Sequence, residues 1–276
     1  MSIGSNSSLE VLALAGFETN SVYNYNKDNT TVELIGNVIE MRDSHCSETI
    51  KDQVFLFAGR VDGLLIGSIE KFDKNTRTSE TLSIKCPVEN HFFSSNLIDD
   101  KVYLIGGWSN KNVIADVEIF CPEKLTFIQG IPLPEVEERH MSVFIDNAIY
   151  VSPGYFEHTI RRFDFRDKAW TSLIEIPGVK CMSTVTSIDQ DIYILGGDYE
   201  SKMCHVYDIR ANSYRQLAKP PIDILYSQCY VHEHQIFVFG GYFNDNAQIY
   251  DPKTDSWRLS KLKCLERQYF FSKAIF

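Results

Sequence analysis

QIFVFGGYFNDNAQIYDPKTDSW, running from Gln235 to Trp257, is the stretch that decides the fold. It opens on an apolar run that stops at Gly240 and Gly241, a pattern that reads as a buried strand closed by a turn. Tyr250 and Asp251 follow, then Pro252, Lys253 and Thr254, and Trp257 lies seven residues beyond Tyr250. Pro, Asp and Thr between two aromatic positions make a tight hairpin, which sets both large side chains in one layer.

Working outward from this stretch, the same signal recurs along the whole chain. Strand-like runs end at Gly16, Gly59, Gly107, Gly154, Gly197 and Gly241, spaced 43, 48, 47, 43 and 44 residues apart. A self-similar period of this length marks a stacked or radial repeat. Aromatics follow at Tyr25, Phe72, Phe120, Phe163, Tyr207 and Tyr250, and seven residues beyond them lie Val32, Ser79, Phe127, Trp170, Tyr214 and Trp257. Each period therefore holds four short strands, a to d. Strand b ends at the glycine, c carries the aromatic and its Asp, and d begins at the seventh residue. Strand a is the apolar run before the next b, such as Met141 to Ile145. No segment sustains a 3.6-residue period, so few helices are expected.

The double glycine, the Tyr-Asp and the later Trp resemble the kelch motif, best kept in Gln235 to Trp257 and in Lys101 to Phe127. Blades one, two and four depart from it, with Ala15-Gly16, Ala58-Gly59 and Pro153-Gly154 in place of the pair. The resemblance implies an all-β, six-bladed kelch-type propeller over residues 9–276, preceded by a short tail at 1–8. Glycines are needed where radial sheets crowd and the chain turns sharply at positive φ. The chain starts on a strand b, Val11 to Gly16, and ends on Tyr269 to Phe276, which reads as a strand a. That last strand is expected to complete the first blade, closing the ring and covering edges.

Composition narrows the function. Apolar residues make up 44% of 276, enough for a sizeable core. A formal charge of −10 and the lack of any Lys/Arg run argue against nucleic acid and anionic membranes. Seven scattered cysteines with no CxxC pair argue against a zinc knuckle or a disulfide framework. The first residues lack the basic and apolar regions of a secretory signal. A cytoplasmic protein is the expectation, and a monomer, because no BTB-like region precedes the repeats.

Function in such a fold belongs to loops at one end of the channel. The kelch resemblance implies a partner protein or peptide held on the face made by b–c and d–a loops. Residues after strand b are Phe17, Arg60, Trp108, Tyr155, Asp198 and Tyr242; the d–a loops add Arg42, His91, Arg139, His140, Lys180, Tyr226 and Arg267. Arg42, Arg60, Trp108, Arg139, His140, Tyr155, Tyr226, Tyr242 and Arg267 are the expected partner-binding residues, types enriched at interaction hot spots. Glu18, Glu135, Glu137, Glu138 and Asp198 share these loops, leaving the partner's charge open. His45 and His140 occupy equivalent places before strand a, His158 falls in a b–c loop, and His232-Glu233-His234 in an a–b turn. All read as solvated or structural, so no catalytic, cofactor or metal site is expected. Cys204 is placed in a b–c loop as a buried or inert thiol. The repeats look most like those of the BTB–kelch family, whose propellers capture substrates for cullin-RING ubiquitin ligases, but BTB and BACK regions are not seen. Actin binding, known among kelch proteins, is the alternative in the same class, and a small-molecule enzyme on a kelch propeller the alternative of another class.

Overall fold

The computed structural model describes residues 9–25, 31–176, 178, 181–197, 202–242, 246–263 and 269–276. They form six antiparallel sheets of four strands, ordered a-b-c-d, and no helix appears among the described residues. Blade one consists of Ser272–Ile275, Val11–Gly16, Thr19–Tyr25 and Val32–Asn37. Blade two has Cys46–Ile50, Gln53–Phe57, Ser68–Asp73 and Thr78–Lys85; blade three has Ser94–Ile98, Lys101–Ile105, Val117–Cys121 and Thr126–Gln129. Blade four has Ser142–Ile145, Ala148–Val151, Thr159–Asp164 and Ala169–Glu175. Blades five and six have Thr184–Ile188, Asp191–Leu195, Cys204–Asp208 and Ser213–Gln216, then Gln228–His232, Gln235–Phe239, Asn246–Asp251 and Ser256–Lys263. Two small ribbons, Arg60–Val61 with Leu64–Leu65 and Asn90–His91 with Trp108–Ser109, sit above blades two and three.

The aromatic spacing read from the sequence is a register. Tyr25 faces Val32, Phe72 faces Ser79, Phe120 faces Phe127, Phe163 faces Trp170, Tyr207 faces Tyr214, and Tyr250 faces Trp257. In blades two to six strand d begins one residue before that partner. The Asp after the aromatic has a mechanical task. Asp73, Asp208 and Asp251 each accept backbone N–H groups from the turn, as at Lys253 N (2.9 Å), and so hold the hairpin closed. The tryptophans of strand d tie blades together: Trp257 Nε1 donates to Ala218 O at 2.8 Å and Trp170 Nε1 to Ile131 O at 3.1 Å.

The core lies between blades rather than inside one layer. Six separate apolar clusters fill the six junctions, such as Leu12, Leu14 and Val22 of blade one against Val54, Leu56 and Phe72 of blade two. Tyr25, Tyr230, Phe239 and Ile249 fill the junction of blades six and one. Each fully buried Leu or Phe contributes about 1.5–3 kcal/mol. Closure follows the expectation: Leu14 pairs with Ser272 and Val11 with Ile275, while Gln228 Nε2 of blade six donates to Phe271 O at 3.0 Å.

The glycine ending strand b is crowded by d–a loops, not by the axis, where strands a lie. A Cβ on Gly59 would come 2.7 Å from Asp43 O, and one on Gly107 2.8 Å from His91 O. The residue before it is left-handed as well, at Gly106 (φ 60), Gly196 (φ 70) and Gly240 (φ 65). Ala15 (φ 51) and Ala58 (φ 50) keep that conformation despite a Cβ, and only Pro153 in blade four, whose ring fixes φ negative, abandons it. Cys204 begins strand c instead of lying in the b–c loop; an apolar side chain is required there, and the thiol is fully buried.

Candidate functional site

The d–a loops deliver one left-handed residue per blade to the mouth of the channel: Ser44, Phe92, Arg139, Met182, Tyr226 and Phe270. Their backbones are chained. Ser44 N donates to Phe270 O, Phe92 N to Ser44 O, Arg139 N to Phe92 O, Met182 N to Arg139 O and Tyr226 N to Met182 O, at 2.9, 3.2, 2.8, 3.0 and 3.4 Å. Positive φ is what lets each peptide turn its N–H sideways to the neighbouring blade while strand a runs on down the channel. The side chains meet at the axis. Phe270 packs 4.1 Å from Tyr226 and 5.6 Å from Phe92, reaching across the small Ser44 of the blade between. Met182 packs with Cys181 and Leu225 against them.

A second ring surrounds the first. The residue after each strand-b glycine is pinned to the d–a loop: Phe17 N donates to Tyr269 O, Arg60 N to Asp43 O, Tyr155 N to Glu138 O and Tyr242 N to Leu225 O. Trp108 pairs with His91. Trp108 (40% exposed), Tyr155 (50%) and Tyr242 (51%) stand open to solvent around a half-buried aromatic floor. Among the described residues, most large exposed apolar side chains belong to this end: Phe17, Leu64, Trp108, Tyr155, Phe156 and Tyr242 in b–c connections, and Ile39, Met41, Ile131 and Val136 in d–a ones. Concentration of apolar surface at one end is the mark of an interaction site.

Of the expected partner-binding residues, Trp108, Tyr155 and Tyr242 are exposed there, and Arg60, Arg139 and Tyr226 are half-buried beside them. Arg42 and His140 are not available. Arg42 is wholly buried, donating to Ala58 O, Ser68 O and Ser68 Oγ at 3.1 Å and pairing with Glu70 at 2.7 Å and Glu40 at 2.5 Å. His140 is packed below the ring next to Gly106, and burial pulls its pKa down to about 3. Arg267, Lys180 and Asp198 lie outside the described residues. The sequence reading passed over Phe92, Met182 and Phe270. The signal was present, since Ser44, Phe92, Arg139, Met182, Tyr226 and Phe270 are spaced 48, 47, 43, 44 and 44 residues, the period of the glycines.

Two guanidinium groups, those of Arg60 and Arg139, border the aromatic floor. Arg60 places Nε (3.0 Å) and Nη2 (2.9 Å) on Asp43 Oδ1, with its guanidinium 5.6 Å from the Phe92 ring centre. Arg139 lies 4.8 Å over Phe92 and 5.5 Å from Tyr155, with Glu138 at 3.9 Å. Such cation–π contacts are worth about 0.5–2 kcal/mol.

Beneath the ring, strands a enclose a channel cavity of about 480 Å³ with hydroxyl-rich walls, among them Ser47, Thr49, Ser95 and Thr186. Glu48 accepts from Ser95 Oγ at 2.7 Å, and burial pushes its pKa up to about 7. His45 donates to or accepts from Ser272 Oγ at 2.7 Å and is held well below its ordinary pKa by burial and by Arg42. No cluster fit to ligate a metal is found among the described residues. His158 is half-buried beside blade four, and Glu233 and His234 form a left-handed turn between strands a and b. Burial pushes the Cys204 thiol up to about 12, so it is inert.

Comparison with known proteins agrees with this geometry. Residues 13–197 match the KLHDC2/KLHL20/DRC7 kelch-repeats domain, and residues 229–260 match the kelch motif. The chain belongs to the kelch-repeat family. Kelch relatives include Kelch-like protein 15 of Danio rerio, 20% identical over 87% of this chain and 37% of its own length. Kelch-like protein 26 of Danio rerio is 24% identical over 60% of this chain and 30% of its own. Beta-scruin of Limulus polyphemus is 23% identical over 64% and 21% respectively. The kelch chain thus spans about a third or less of the length of these relatives. No helix among its described residues is long and apolar enough to cross a membrane.

Proposed function

We propose that this propeller is a protein-interaction module whose partner docks on the face made by the b–c and d–a loops. One observation carries the reading. Two concentric rings of aromatic and Arg side chains, with Phe92, Tyr226 and Phe270 inside and Trp108, Tyr155 and Tyr242 outside, occupy the end that also bears most of the exposed apolar residues. Aromatic and Arg side chains on a rigid floor are what hot spots are made of. The described strands have the opposite role: their side chains fill the junctions between blades. On this reading the module presents captured proteins as the substrate-recognition propellers of ubiquitin ligases do, and an actin-binding role belongs to the same class.

The test is capture from cell lysate with three proteins: wild type, Trp108→Ala/Tyr155→Ala/Tyr242→Ala, and a control changed at the opposite end, Leu125→Ala. The triple variant gives up ring contacts such as Arg139 over Tyr155 and Tyr242 on Tyr269, so capture is compared only at a temperature where urea denaturation shows all three proteins fully folded. The expected outcome is a partner lost with the triple variant and kept by the control. A partner retained equally by all three would place binding elsewhere on the molecule.

A further inference from the structure

The channel carries two charges that the repeat does not require. Counted from the left-handed ring residues, Lys273 takes the position held by Ser47, Ser95, Ser142, Val185 and Cys229 in the other blades. Glu48 takes the next position, held elsewhere by Asn96, Val143, Thr186, Tyr230 and Ala274. Both side chains line the cavity of about 480 Å³, and both are half-buried. They lean apart. Glu48 accepts from Ser95 Oγ of blade three at 2.7 Å, whereas Lys273 donates to Cys229 O of blade six. Each feels the other's charge, but no ion pair closes between them. A carboxylate accepts about four hydrogen bonds and an ammonium donates about three, so these contacts leave capacity on both. Burial pushes the Glu48 carboxyl up to about 7, and Ser95 and Lys273 only partly offset it, as suits a counter-charge held at a distance. Across the axis from blade two, blade five adds the hydroxyls of Thr186 and Ser187 to the wall. At the far end of strands a, Phe144 and Ile275 stay 38% and 39% exposed, which leaves the channel open toward the a–b turns.

We propose that the channel binds a small zwitterion of the α-amino acid class, its ammonium group on Glu48 and its carboxylate on Lys273. The cavity falls within the roughly 300–1,000 Å³ of small-molecule sites. Each end of the ligand makes a hydrogen bond between opposite charges, the stronger kind, and the two spare protein charges are compensated together. A molecule with one charge leaves the other side chain uncompensated, so the site selects for both groups. The zwitterion has no net charge, and the chain's −10 does not oppose its entry. This site is separate from the docking face, because strands a and not the loops supply both charges.

The experiment screens the standard L-α-amino acids at millimolar concentration against the whole chain by thermal shift, then measures each binder by isothermal titration calorimetry. At least one is expected to raise the melting temperature. Its decarboxylated amine and its deaminated acid should each bind wild type more weakly by about tenfold or more. Glu48→Gln and Lys273→Gln, which keep the length of each side chain approximately, should weaken the intact amino acid by a similar factor. The two analogues test the same contacts on unaltered protein if either variant does not fold. No binding by any amino acid would overturn the proposal. So would an amine or an acid that binds as tightly as its parent, or an amino acid whose affinity is unchanged in both folded variants.

Discussion

Blades two and four place an ion pair at the same two positions of the repeat and give it opposite polarity. In each, one partner lies two residues before the left-handed residue of the ring and the other two residues before the strand-c aromatic. Blade two uses Arg42 and Glu70, 2.7 Å apart; blade four uses Glu137 and Arg161, 3.6 Å apart. The polarity follows from what the local backbone exposes. In blade two the b–c connection turns carbonyls inward, and Arg42 donates to Ala58 O and Ser68 O. In blade four Pro153 reroutes the chain after strand b, and N–H groups face inward. Glu137 accepts from Phe156 N (3.1 Å) and Glu157 N (3.2 Å) as well as Glu138 N (3.1 Å). Glu70 in turn accepts from Ile39 N at 2.7 Å and Glu40 N at 3.1 Å. The lesson is that a buried charge in this fold is chosen by orphaned peptide groups, and its ionic partner is chosen by the charge.

The comparison is broken most forcefully by Arg42→Met. It strands Glu70 and Glu40 against each other and leaves Ala58 O without its donor, while Ser68 O keeps only Ala58 N, a loss of about 3–5 kcal/mol by urea denaturation. Glu137→Gln should cost less, about 2–3 kcal/mol, because the amide oxygen still accepts some of the three N–H groups. The sharper experiment is the exchange Arg42→Glu/Glu70→Arg, which gives blade two the polarity of blade four. If backbone groups choose the sign, the exchanged protein is no more stable than Arg42→Met. Recovery to within about 1 kcal/mol of wild type would mean that the ion pair alone matters.

The next largest effect separates blades that turn on a glycine from those that do not. Gly196→Ala must keep φ near 70 and would set its Cβ 2.2 Å from Ile224 O of the next blade. Strain and overpacking together are expected to cost about 2–4 kcal/mol, read as a lowered midpoint at unchanged slope.

Blades two and four also differ inside the channel, where Glu48 in one corresponds to Val143 in the other. Burial raises the Glu48 carboxyl to about pH 7, above its unfolded value near 4.5. Its contribution to stability is full below the unfolded value and is lost as pH rises through 7. His91, held down to about 4, and His140, held down to about 3, act oppositely and destabilise as pH falls below 6.5. The useful quantity is therefore the difference between wild type and Glu48→Val at each pH. That difference should move by about 1–3 kcal/mol in favour of the variant between pH 4.5 and 8. A flat difference would mean that channel water solvates Glu48 fully.

How much of this was legible in the sequence depends on whether a feature repeats. The period of the glycines and the seven-residue spacing from Phe163 to Trp170 or Tyr250 to Trp257 describe backbone positions common to every blade, so weak matches reinforce one another. Closure by the last strand was legible for the same reason, since one strand was missing from an otherwise regular set. The b–c and d–a loops were legible as a class, and the exposed positions of Trp108, Tyr155 and Tyr242 could be read off because a glycine marks the residue before each. Arg42 was misjudged because its fate depends on Glu70, 28 residues away in sequence, and on carbonyls whose direction no residue type reveals. Phe92 and Phe270 escaped notice because the shared property of their ring is a left-handed backbone. Ser, Phe, Arg, Met and Tyr all adopt it here, so no residue type marks the position.

The smallest effect tests whether the alanine at that strand-b turn is a defect. Ala58 is left-handed where blades three, five and six use glycine, yet its methyl group is wholly buried with Phe57, Ile69 and Phe93. Ala58→Gly relieves about 1–2 kcal/mol of backbone strain. It also gives up about 0.8 kcal/mol of methyl burial and adds about 0.4–1 kcal/mol of unfolded-chain entropy. The terms offset, and a change of less than about 0.5 kcal/mol is expected. A gain well above that would show that strain dominates and that the methyl packs poorly. A clear loss would show that blade two has adapted its junction with blade three to the alanine, as blade four adapted its charge to the proline.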